Sequence, residues 1–127
     1  MSRQAVATTG APAAIGPYSQ GIASGEFVFC SGQLGLDPAT GDLVSGGVAA
    51  QAERALKNLA AVLDAAGLTF ADVLKTTIFL ADIGDFAAVN AIYATFVSDP
   101  APARSTFAVG ALPKGGLIEI EAIARRS

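Results

Sequence analysis

A chain of 127 residues with eleven acidic and eight basic side chains, net charge −3, has the length of one domain spanning residues 1–127 and no clustered basic face for tracking phosphates. It has no histidine and a single cysteine, Cys30, which excludes histidine-based nucleophile systems, histidine or thiolate zinc sites and internal disulfides. Hydrophobic residues make up 52% of the chain, yet no apolar run approaches the ~18 residues of a membrane helix, so the excess apolar surface is expected to be buried between subunits.

In chain order, "SRQAVAT" reads as a short first strand, followed by the Gly- and Pro-rich loop "GAPAAIGPYSQ". "GIASG" and "EFVFCSGQ" form two strands about a turn at Gly25, and "LDPATGDLV" is a turn-rich connection. From about Gly47 to Ala66 the residues Ala52, Ala55, Leu56, Leu59, Val62, Leu63 and Ala66 recur at three- and four-residue steps, which predicts an amphipathic helix capped by Ser45 and ended by Gly67. "VLKTTIFL" is a β-branched strand. A second helix starts near Asp82 or Asp85, with Phe86, Val89, Tyr93 and Phe96 as its buried stripe, and "SDPAPA" stops it.

Two strands close the chain. In "ARSTFAV" Arg104, Thr106 and Ala108 share a face; in "LIEIEAIA" Ile118, Ile120, Ala122 and Ala124 lie opposite Leu117, Glu119, Glu121 and Ile123. The order β-β-β-α-β-α-β-β predicts an α+β fold, one mixed sheet with both helices on one face. The other face, polar and small apolar, is expected to form the subunit contact.

No glycine-rich phosphate loop is present, and the N-terminus lacks the apolar core of a secretion signal, so with its lone cysteine the chain is expected in the cytoplasm. Catalysis must use Arg, Glu, Asp, Tyr, Ser, Thr or backbone groups. Arg104 could simply pair with a nearby acid at a strand end, and Glu119 and Glu121 alternate with isoleucine as any half-exposed strand would. The other reading is a site that grips a small acid and positions a water. Cys30 reads as a buried strand thiol.

Together, "GPYSQ", "FCSGQ", "DPATG", the "VN" of the second helix, "PARST" and "IEIEAIA" resemble the reactive intermediate deaminase (RidA) family, also called the YjgF or translation-inhibitor endoribonuclease family. The resemblance runs in order along nearly the whole chain. It implies a chorismate-mutase-like fold assembled as a homotrimer about a central barrel, with ligand clefts between neighbouring subunits. It also implies hydrolysis of 2-imino acids or their enamine tautomers, such as 2-iminobutanoate and 2-iminopropanoate, to 2-keto acids and ammonia, with no cofactor and no metal. By the same resemblance Arg104 is the clamp for the substrate carboxylate, Glu119 holds the hydrolytic water, and Tyr18 borders the ligand. Ser31, Gly32 and Asn90 line the cleft, as does Thr106, where archetypal members often carry cysteine. For Asn90 a structural amide is an equal alternative, and Glu121 reads as an ordinary strand residue. The competing functions are a regulatory trimer that binds small keto or amino acids and a ribonuclease, against which the missing histidine and basic stripe argue.

Overall fold

Strands β1 (Arg3–Val6), β2 (Gly21–Ser24) and β3 (Phe27–Leu34) are followed by helix α1 (Gly47–Ala65), β4 (Val73–Leu80), helix α2 (Phe86–Tyr93), β5 (Ala103–Ala108) and β6 (Ile118–Arg125), the predicted order. The structure, a computed structural model, describes residues 2–127. The six strands form one sheet in the order β1-β2-β3-β6-β4-β5, antiparallel throughout except for the parallel β4–β5 pair at one edge. The sheet is therefore mixed, as expected.

One face of the sheet supports both helices. Val28 and Cys30 of β3, Ile78 and Leu80 of β4, and Ile118, Ile120, Ala122 and Ala124 of β6 are buried there against Leu56, Leu59, Val62 and Leu63 of α1. Covering each such leucine stabilises the fold by roughly 1.5–3 kcal/mol. α2 is fixed to the same face by a 2.7 Å hydrogen bond between the Tyr93 hydroxyl and Thr76 Oγ1, both buried. Among the described residues no helix is long and apolar enough to cross a membrane.

Two polar side chains interrupt the apolar stripe of α1 and do local work. Gln51 Oε1 accepts from the Leu117 amide at 2.9 Å, and Asn58 Nδ2 donates to the carbonyls of Leu34 and Leu36 at 3.1 and 2.9 Å. A buried amide survives in a core only when so satisfied. These bonds tie the end of β3 and the start of β6 to the helix.

Three expectations need correction. Ser45 does not cap α1: the N-cap is Gly46 at φ 114°, a left-handed conformation that glycine adopts without a Cβ clash, and no side chain caps there. Gly67 (φ 78°) does end the helix, its amide bonding the Asp64 carbonyl at 2.9 Å. The stripe of α2 is narrower than predicted. Val89 and Tyr93 are buried, but Phe86 is exposed and Phe96 lies half-buried beyond the helix end, because Phe86 stacks on a side chain of the edge strand rather than on the core. Finally, the open face of the sheet carries large aromatics: Phe27, Phe29 and Phe107 are exposed, and Phe79 packs edge-on against Phe107.

Candidate active site

The residues singled out from the sequence fall into two groups on opposite faces of the sheet. Strand register settles this. Glu119 and Glu121 of β6 lie opposite Phe79 and Thr77 of β4, on the open face; Arg104 of β5 lies beside Thr76, whose side chain faces α2. β5 is also two strand spacings from β6, about 10 Å.

On the open side, Tyr18, Ser31, Gly32, Glu119 and Glu121 line a cavity of about 840 Å3, walled by Leu34 and Leu36 and rimmed by the loops around Pro38–Gly41 and Pro113–Lys114. A bulge in β3 builds its floor. Between Cys30 and Gln33 the strand carries one residue more than β6 opposite it, which pushes Ser31 and Gly32 out of regular alternation. At Gly32 the missing Cβ makes room for the Glu119 side chain. A Cβ there would stand 2.7 Å from Glu119 Oε2 and 2.8 Å from its Cδ, so the Glu119 side chain lies flat on the bare backbone.

Ser31 organises the adjoining loop. Its Oγ donates to the Ser19 carbonyl at 2.6 Å and its amide to the Gln20 carbonyl at 2.9 Å. Gln20, buried, donates from Nε2 to the carbonyls of Thr8, Ala11 and Pro12 and accepts from the Thr8 amide at 2.7 Å. The Gly-Pro loop is thus stitched from beneath, and Tyr18 is left 54% exposed over the cavity. With its proton on the Ser19 carbonyl, the Ser31 hydroxyl keeps acceptor capacity at the cavity wall.

The Glu119 carboxyl is perturbed by its surroundings. Burial, and then the charge of Glu121, push its carboxyl above the ordinary carboxylate range. Glu121 reads from alternation as an ordinary exposed strand acid, which it is; the structure adds that it lines the cavity beside Glu119. The Cys30 thiol is buried on the opposite face and pushed up to about 11 by that burial, which keeps it unreactive.

On the helix side, the Arg104 guanidinium lies 5.1 Å from the ring centre of Tyr93 and 5.4 Å from that of Phe86. Two aromatic faces hold the cation without neutralising it. No acid pairs with it: among the described residues the ion pair present joins Arg125 and Glu26. Asn90 stands on the same face of α2 as the two rings, half-buried. Two residues along β5 from Arg104, the buried Thr106 Oγ1 has no hydrogen-bond partner. This second group offers a positive fork, an amide and an orphan hydroxyl. That combination suits an anion.

No group of three or more acidic or cysteine side chains among the described residues is placed to hold a metal ion. One chain thus presents a half with two carboxylates and a half with an unpaired guanidinium, on opposite faces of the sheet.

Against known proteins, the family model described as Endoribonuclease L-PSP matches residues 8–126. A curated relative from Mus musculus, 2-iminobutanoate/2-iminopropanoate deaminase, is 53% identical over 122 residues, covering 96% of this chain and 90% of its own. The crystal structure of the YjgF gene product of E. coli superposes with a TM-score of 0.91 at 47% identity over 98% of this chain and 99% of that one. That of E. coli TdcF with bound serine gives 0.92 at 43% identity over the same shares.

Proposed function

Since the chain belongs to the Endoribonuclease L-PSP family, which takes in the RidA and YjgF proteins, we propose that it is a hydrolytic deaminase of 2-imino acids and enamines, 2-iminobutanoate and 2-iminopropanoate among them. The observation that carries this is a guanidinium with no acid partner on one face of the sheet and, on the other, a cavity-lining carboxylate raised above its ordinary range.

We further propose a homotrimer of the chorismate-mutase-like kind, in which the Arg104 half of one copy closes on the Glu119 half of its neighbour. Two observations support it. The halves lie on opposite faces and cannot meet within a chain, and the open face exposes Phe27, Phe29 and Phe107, an apolar area that water disfavours.

In that cleft the planar Arg104 fork takes the substrate carboxylate in two parallel hydrogen bonds. Asn90 supplies a further donor, and the unpartnered Thr106 Oγ1 lies buried two residues along the same face of β5. The bound 2-imino group then lies over Glu119. As carboxylate, Glu119 takes a proton from water while the water oxygen bonds to C2 of the protonated imine (an iminium) and the C=N π electrons neutralise its nitrogen. The product is a tetrahedral carbinolamine. Protonated Glu119, with Tyr18 beside the nitrogen, returns the proton to the amine; the C–N bond breaks, ammonia leaves, and loss of the hydroxyl proton gives the 2-keto acid. A carboxyl raised above its ordinary range suits both transfers. The electrophile is already activated, so orientation and one acid–base group suffice.

An alternative, ligand binding without turnover, draws on the serine bound in TdcF, an amino acid with the carboxylate Arg104 would grip. Imine generated in situ from an amino acid by an oxidase, with keto-acid release or semicarbazone suppression followed in time, separates the two. Acceleration over buffer is expected; rates equal to buffer would leave binding alone. Ribonuclease action finds no support in a cavity with two carboxylates and no histidine, since both repel a phosphate backbone.

A further inference from the structure

We propose that Lys114 is a latch across the mouth of the Glu119 cavity and that this latch sets the size of substrate admitted, an inference that rests on the deaminase reading. Lys114 sits in the short turn Pro113–Gly115 at φ 58°, ψ 18°, the one non-glycine residue at positive φ among the described residues. Left-handed backbone disfavours a side chain, and glycine follows at both of the next two positions, so a lysine held there is used for something.

Its use is visible. Lys114 Nζ donates to the Gly41 carbonyl at 2.7 Å, across 73 residues of sequence, and no carboxylate pairs with it among the described residues. Gly41 belongs to the loop 37–42, whose other hydrogen bonds stay within itself: Asp37 amide to Asp42 carbonyl, Thr40 and Gly41 amides to the Asp37 carbonyl, Ala39 amide to Asp37 Oδ1, and Asp42 amide to Thr40 Oγ1. The stem of this loop is closed by the Leu36–Leu43 bridge and by Asn58 Nδ2 on the Leu36 carbonyl; within 37–42, among the described residues, Lys114 makes the hydrogen bond that ties the loop's tip to the body of the protein. Both joined loops line the cavity. Fastening them fixes the width of the opening, and Lys114 acts as a positioning residue rather than on the reacting atoms.

Three variants test this: Lys114→Met, which keeps length and loses the donor; Lys114→Gly, which also relieves the backbone; and Lys114→Arg, which restores a donor. Amide hydrogen exchange at Asp37 and Gly41 should quicken by about fivefold or more in the Met and Gly variants and return toward wild type in the Arg variant. The kcat/KM ratio for an aromatic 2-imino acid over 2-iminopropanoate should rise at least about threefold in the same two variants, carried by KM rather than kcat. In Lys114→Gly the Tm should equal or exceed that of wild type although the loop is looser, a divergence that a merely structural lysine would not give. Unchanged exchange in Lys114→Met overturns the latch, and quicker exchange with an unchanged substrate ratio overturns its role in selection. Absence of imine turnover by wild type would instead end the deaminase reading, and exchange would still decide whether the loops are latched.

Discussion

Replacing Gly32 by alanine puts one methyl group where Glu119 lies. The backbone at Gly32 is not left-handed, so alanine itself is accommodated, but its Cβ would stand 2.7 Å from Glu119 Oε2, 2.8 Å from Cδ and 2.9 Å from Cγ. An unstrained contact needs about 3.5 Å, so the Glu119 side chain must retreat by roughly 0.8 Å or leave its rotamer, at a cost near 0.5–1.5 kcal/mol. A fold of this size absorbs that with a loss of about 2–8 °C in Tm. Chemistry is less forgiving, because a displacement near 1 Å of a group that aims a water costs up to ~100-fold. Gly32→Ala should therefore lower kcat by about 10- to 100-fold while the circular dichroism spectrum and oligomeric state stay as in wild type. In the double variant with Glu119→Gln the loss should be no greater than for Glu119→Gln alone, since the methyl acts through that carboxylate. Full activity in Gly32→Ala, or fully additive losses in the double variant, would refute the role given to the bare backbone.

Arg104→Ala and Arg104→Lys should each cut kcat/KM by at least ~100-fold, since two charge-assisted hydrogen bonds at roughly 1.5–3 kcal/mol apiece are lost or made monodentate; near wild-type values with a folded protein would remove the carboxylate clamp. Glu119→Gln should abolish most turnover yet stabilise the protein. Because the folded pKa lies above the ordinary carboxylate value, the folded state binds the proton more tightly, and stability falls as pH rises through that window. The variant should thus melt higher than wild type at neutral pH and lose that advantage below the ordinary carboxylate pKa; the same Tm difference at all pH values would contradict this. Phe107→Glu, on the open face, should dissociate the assembly in light scattering. A persistent trimer would place the contact elsewhere.

Local pattern made much of this readable. The three- and four-residue recurrence of Leu56, Leu59 and Leu63 reported α1, and the alternation of Ile118 and Ile120 with Glu119 and Glu121 reported β6, because those periods are set by the backbone itself. Pairing between distant strands is not so recorded. Alternation put Arg104 and Glu119 each on a face of its own strand, but only the register of β5 on β4 and of β4 on β6 reveals that the faces are opposite. For the same reason alternation reads Glu121 only as an ordinary strand acid and says nothing of Lys114: a carboxylate in a cavity wall and an ammonium bonded across 73 residues are tertiary facts. Ser45 was misread because a left-handed glycine opened the helix where a hydroxyl was expected.

Complementation between two inactive variants tests most directly whether neighbouring copies share each cleft. In the proposed trimer, Arg104→Ala and Glu119→Gln chains refolded together in equal amounts are expected to mix. A cleft is intact when its arginine comes from one variant and its glutamate from the other, a chance of about one half times one half. Recovery of roughly a quarter of wild-type deaminase activity is the expected result; mixed trimers as inactive as either parent would contradict a site built between chains.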